Sequence, residues 1–211
     1  MLKKCTVLVT AIFVVSVVSG YLYANSNPYE SARVMQELSD DLGWITDLDP
    51  VLILFAIFLN NAVKSFIVIL LGALGIVPIM LLNPNNVSKS FLVRSFFVLP
   101  MILPIMFIMF NGYILGIVMC ESARREGLLC VAAAILPHGT IELPMVLLSA
   151  ALGMRIGAMV LLRISSKITT EEILSTLKWS ISFYFRWILP LLFVAAVIET
   201  FITPVVLRIL G

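Results

Sequence analysis

His138 and Glu142 lie four residues apart inside the apolar stretch Ile135-Leu136-Pro137-His138-Gly139-Thr140-Ile141-Glu142-Leu143-Pro144. On a helix, that spacing puts an imidazole and a carboxylate on one face. Ionisable groups in lipid are costly and tend to face one another, so such a pair could hold a ligand, an ion or a transferable proton. Pro137 and Pro144 each remove an amide donor, and Gly139 weakens the turn between them. Interrupted membrane helices of this kind build ion and substrate sites in transporters. The competing reading is structural: the pair would hydrogen-bond neighbouring helices and satisfy the disturbed backbone. Glu199, in the middle of the last apolar run, could join the pair. One imidazole and two carboxylates supply N and O ligands of the type that zinc accepts, but spacing does not by itself bring Glu199 to His138. Asn111 in the third apolar run and Asn60, Asn61 and Lys64 in the second extend the possible polar network.

Known catalytic patterns are missing. The chain has no phosphate-binding P-loop, no HExxH pair and no GxSxG nucleophile elbow. Its single histidine excludes a two-histidine ligand set. No catalytic residue and no cofactor are therefore assigned. A lipid-modifying enzyme of unfamiliar type would have to form a product in a reaction that depends on His138 or Glu142.

The elements that must position these residues follow from composition. Of 211 residues, 61% are hydrophobic and 12% charged, against roughly 45–50% and about 25% in soluble domains. Mean hydropathy is +1.11. Lipid must solvate most of such a chain. With 14 Lys and Arg against 12 Asp and Glu, it lacks the cationic excess of a nucleic-acid binder. Three cysteines cannot make a disulfide framework.

A bilayer core about 30 Å thick needs about 20 apolar helical residues. Five runs qualify: residues 7–24, 62–82, 96–120, 128–153 and 188–207. They read as helices, because open sheet edges cannot be satisfied in lipid. The expected fold is all-α: a polytopic membrane protein with about five transmembrane helices, some kinked or broken, forming a single membrane domain over residues 1–211. The second run starts near Val51, and one straight helix from there to Leu82 would reach about 48 Å, so a bend or a strong tilt is expected. Prolines 78, 100, 104, 190 and 204 also suggest bends.

Lys3–Lys4 ahead of an apolar stretch and the small residues Val18, Ser19 and Gly20 also fit a secretory signal peptide. The run continues through Tyr21, Leu22 and Tyr23, whose interfacial aromatics favour a retained anchor.

With the N terminus in the cytoplasm, Lys3, Lys4, Lys89, Arg94, Arg155, Arg163, Lys167, Lys178 and Arg186 fall inside and Arg33, Arg124, Arg125 and Arg208 fall outside, with Lys64 left aside as intramembrane or interfacial. The positive-inside rule therefore predicts a cytoplasmic N terminus and an external C terminus in a cell membrane. The outer polar segment, residues 25–50, carries Glu30, Glu37, Asp40, Asp41, Asp47 and Asp49. Tyr29, Val34, Leu38 and Leu42 give it a short amphipathic helix that caps the protein or docks a partner. On the inner side, residues 165–186 read as an interfacial helix. Thr169 and Glu172 have capping-box spacing, and Lys178, Trp179, Arg186 and Trp187 suit the headgroup level.

Gly112/Gly116 and Gly153/Gly157 repeat at four-residue intervals, which lets helices approach closely within one chain or in a homo-oligomer. Cys120 and Cys130 bracket an outer loop where an oxidising exterior would permit a bridge; separate thiols are the default expectation.

The pattern resembles the stage II sporulation protein M family of integral membrane proteins. The resemblance rests on Pro137-His138-Gly139-Thr140-Ile141-Glu142-Leu143 followed by Gly153, on Asn111-Gly112 with Gly116, and on Glu199 in the final span. It covers roughly residues 50–208. The resemblance implies five spans and a membrane component that works with other membrane proteins. Spore-forming members of the family act in forespore engulfment alongside cell-wall hydrolases without being hydrolases themselves, and other members occur in organisms that form no spores. What carries over is a membrane scaffold or assembly component. A small transporter or ion- or proton-conducting protein using His138 and Glu142 is the alternative. The partners expected are the lipid bilayer and other membrane proteins, with no nucleic acid.

Overall fold

The computed structural model describes residues 1–43, 48–81, 96–165 and 167–210. Asp47, Leu82, Lys89 and Arg94, used above for charge and run length, lie outside the described residues. Among the described residues there are only helices, turns and bends. The helices are α1 (Leu2–Ser26), α2 (Pro28–Leu42), α3 (Pro50–Ala73), α4 (Ile76–Leu81), α5 (Leu99–Glu126), α6 (Leu128–Ile164), α7 (Thr170–Phe183), α8 (Leu189–Val197) and α9 (Thr203–Leu210). Wider π-helical turns at Tyr184–Ile188 and Ile198–Ile202 join α7 to α8 and α8 to α9.

Among the described residues, five helical stretches are long and apolar enough to cross a membrane: Leu2–Ser26, Pro50–Leu81, Leu99–Glu126, Leu128–Ile164 and Thr170–Ile209. The chain is a multi-pass membrane protein of all-α class. The 37 residues of α6 extend about 55 Å at 1.5 Å per residue, so this helix tilts or projects beyond the hydrocarbon. It is also the most enclosed: 61% of its most apolar window is buried, against 28% for the first, third and fifth spans. A polar group on α6 is thus more often sheltered by protein than by lipid.

Prolines act differently along the chain. The sequence leads one to expect a break at Pro137 and Pro144, yet α6 passes through both, as α5 passes through Pro104. The departures lie elsewhere. One is the turn at Leu74–Gly75 between α3 and α4. The other two are the π turns, and each is followed at the second position by a proline, Pro190 or Pro204. A proline ring collides with the carbonyl one α-helical turn earlier. Widening that turn, so that Leu189 N–H reaches Tyr184 O and Thr203 N–H reaches Ile198 O, moves the carbonyl aside. Thr203 Oγ1 also donates to Ile198 O at 3.3 Å.

The chain divides into two compact units. One comprises Met1–Thr10, Val63–Ile108 and Val146–Leu189. In it, α3 and α6 meet through glycines: a Cβ on Gly153 would run into Val68 O, and a Cβ on Gly72 into the Gly153 carbonyl. A Cβ on Gly157 would lie 2.5 Å from Met101 N. Val68, Ile69, Leu152, Ile156, Val160 and Ile173 form its buried apolar interior, and Phe66 packs on Tyr184 with ring centroids 5.1 Å apart. The α7 N terminus carries a complete capping box: Thr169 Oγ1 accepts from Glu172 N–H at 3.2 Å, and Thr169 N–H donates to Glu172 Oε2 at 2.7 Å.

The other unit comprises Ala11–Ala62, Met109–Met145 and Pro190–Gly211. Here α1 and α5 are in close contact. A Cβ on Gly116 would strike Val17 O, one on Gly20 would strike Tyr113 O, and one on Gly112 would meet Phe13 at 3.0 Å. The Gly112/Gly116 pair is therefore occupied within the chain. A single left-handed residue, Gly127 at φ 88°, reverses the chain between α5 and α6, a conformation that glycine adopts without a Cβ penalty. Cys5, Cys120 and Cys130 are free thiols, with Cys120 buried beside Ala24 and Ile117.

Candidate functional site: a His–Glu–Glu cluster in the membrane helices

Two helical stretches of the second unit build the site. The four-residue spacing on α6 puts His138 and Glu142 on one face, and the π turn Ile198–Ile202 carries Glu199 to them. One ligand-type atom from each of His138, Glu142 and Glu199 falls within 4.8 Å of the other two. His138 Nε2 is 4.0 Å from Glu199 Oε2, with the two side chains 16% and 33% exposed. The group is half-buried, shielded enough to feel a low dielectric.

The backbone adds polarity. Pro137 and Pro144 cannot donate to the carbonyls of Ala133 and Thr140, so one oxygen just ahead of the pair and one between its two members lose their usual helical donors. His138 Nδ1 and Thr200 Oγ1 are buried without a hydrogen-bond partner in the protein. An imidazole and two carboxylates can share protons or accept a cation.

The other residues nominated from sequence lie in different settings. Asn60 is exposed and donates to Asn61 Oδ1 at 3.2 Å. Lys64 is exposed on α3. Asn111 is half-buried on α5, beside the buried Gly112. Gly139 also differs from the packing glycines, because a Cβ there meets only Ile135 and Leu143 of its own helix.

Two further polar constellations were not legible from spacing. The first joins α1, α2 and α5. Glu121, 4% exposed, accepts from Ser31 Oγ and from Arg124 Nη1. Arg124 Nη2 donates to Ala24 O at 2.8 Å and Asn25 O at 3.1 Å, satisfying carbonyls at the end of α1. The sequence signal was the i,i+3 pair Glu121/Arg124, masked by its resemblance to a wet loop. The second constellation is a cavity of about 360 Å³ lined by Arg155, Ser175, Thr176 and Trp179. Arg155 Cζ stands 5.7 Å from the Trp179 ring centroid, and Arg155 Nε is buried without a hydrogen-bond partner.

The model of the stage II sporulation protein M family matches residues 9–204, most of the chain. An uncharacterized protein of Methanocaldococcus jannaschii is 35% identical over 102 residues, covering 46% of this chain and 54% of that protein. The chain thus spans about half the length of the curated relative it matches. No solved structure matches it.

Proposed function

The chain belongs to the stage II sporulation protein M family, and from that premise we propose that it is an integral membrane scaffold or assembly component that organises other membrane proteins. The observation that carries this reading is the anchoring of α2. The Ser31–Glu121–Arg124 node fastens this amphipathic helix to α5 and to the end of α1. Its opposite face stays open, with the exposed pairs Arg33–Glu37 and Gln36–Asp40 and with Tyr29 81% exposed. A helix held this firmly presents a fixed polar surface, and little ordering entropy is left to be lost on binding.

In this reading the N terminus is cytoplasmic and the C terminus external. Five spans put the termini on opposite sides, and the positive-inside rule chooses between the two orientations. Residues 165–186 contribute an inner interfacial helix; Trp179 and the neighbouring Trp187 are exposed, as side chains that anchor at the headgroups would be.

The experiment is site-directed photocrosslinking in native membranes with a reactive residue at Tyr29 or Glu37. A discrete adduct that disappears in Glu121→Ala, while the protein remains membrane-inserted, supports the scaffold. Absence of any adduct from both positions refutes it.

The convergence of His138, Glu142 and Glu199 favours a second reading, a small transporter or ion- or proton-conducting protein. Proteoliposomes decide this one: cation or proton flux abolished by Glu142→Gln supports it, and flux no greater than that of empty vesicles rejects it.

A further inference from the structure

We propose that His138, Glu142 and Glu199 form a binding site for a divalent transition-metal cation, for which zinc is the fitting probe. This inference stands independently of the scaffold reading.

Geometry comes first. The three ligand atoms lie within 4.8 Å of one another, and the His138 Nε2–Glu199 Oε2 edge measures 4.0 Å. An ion at the centre of a triangle with sides in that range sits about 2.3–2.8 Å from each corner, against about 2.0–2.2 Å for zinc–nitrogen and zinc–oxygen bonds. Side-chain rotations of a few tenths of an ångström close the difference.

Electrostatics point the same way. Two carboxylates brought together away from water either keep a proton or take up a compensating charge. A divalent cation neutralises both while the imidazole supplies a third ligand as a neutral donor. The described ion-pair partner of Glu199 is His138 itself. His138 Nδ1 has no hydrogen-bond partner in the protein, so this ring is not committed to a bond elsewhere.

The donor set then narrows the class of ion. Imidazole with carboxylates suits zinc and its first-row neighbours, and the lack of thiolate disfavours copper(I). Three protein ligands leave one position of a tetrahedral ion open, on the side of the partly exposed Glu199. Local structure holds the ligands in place: His138 and Glu142 by their helical spacing, Glu199 by the π turn ahead of Pro204.

The test uses the full chain in detergent micelles, stripped with a chelator and dialysed against zinc. The expected result is one zinc per chain, an X-ray absorption shell of nitrogen and oxygen only, and a rise in melting temperature on zinc addition. Glu142→Gln and Glu199→Gln preserve side-chain size, so they keep the micellar elution and helical circular dichroism. Each should weaken zinc binding about tenfold or more, the scale at which even outer-shell partners of metal ligands count. Less than a tenth of an equivalent bound by the unaltered chain, undiminished affinity in both variants, or sulfur in the zinc shell would each overturn the proposal.

Discussion

Ser31 donates its hydroxyl to the buried carboxylate of Glu121, which also receives Arg124, so one side chain of α5 holds both the start of α2 and the arginine that caps α1. A buried charge that loses its partner is expensive, about 3 kcal/mol or more. Arg124→Ala is therefore expected to destabilise more than Ser31→Ala, which removes one hydrogen bond to a charged group, worth about 1.5–3 kcal/mol. Thermal unfolding in detergent measures both, and an Arg124→Ala protein as stable as the unaltered chain would show that the node bears no load.

Glycines that look alike in the sequence should respond oppositely to a single methyl group. Gly116→Ala drives a Cβ into Val17 O, an overpacking cost of about 1–3 kcal/mol. Gly139→Ala meets only the Ile135 and Leu143 side chains of its own helix, the nearer at 3.2 Å. It gains up to about 1 kcal/mol of helix propensity. Melting temperatures should fall for the first and stay level or rise for the second.

Pro204 is expected to maintain the π turn that carries Glu199. Pro204→Ala removes the ring collision and restores an amide donor, allowing Ile198–Ile202 to tighten into α-helix. Amide hydrogen exchange across that segment should slow, and Glu199 should move out of register with His138. Unchanged exchange would assign the π turn to tertiary packing instead.

The capping box at the start of α7 offers a local check. Thr169→Ala removes the acceptor for Glu172 N–H and should cost about 1 kcal/mol. The loss should show as faster exchange in the first turn of α7, with the remaining spans unaffected.

Trp179 and Arg155 form a cation–π contact at 5.7 Å. Trp179→Ala should destabilise by about 1 kcal/mol through that contact, and by more through lost apolar burial, while Trp179→Phe should recover most of the loss. Urea or thermal titration of both variants separates ring packing from a merely exposed tryptophan.

Sequence by itself determined the fold class, the number of spans and the face shared by His138 and Glu142. Those properties depend on local rules: lipid demands long apolar helices, and four residues complete about one helical turn. The capping box of Thr169 and Glu172 was legible for the same reason. Tertiary structure alone decided that Glu199 reaches the α6 pair and that Glu121 lies buried under Ser31 and Arg124. It also decided which prolines disturb their helices: Pro190 and Pro204 follow widened turns, whereas Pro137 and Pro144 sit within a continuous helix. Residues distant in the chain meet only after helix packing has fixed both rotation and depth, and the spacing within one helix carries no information about either for its neighbour.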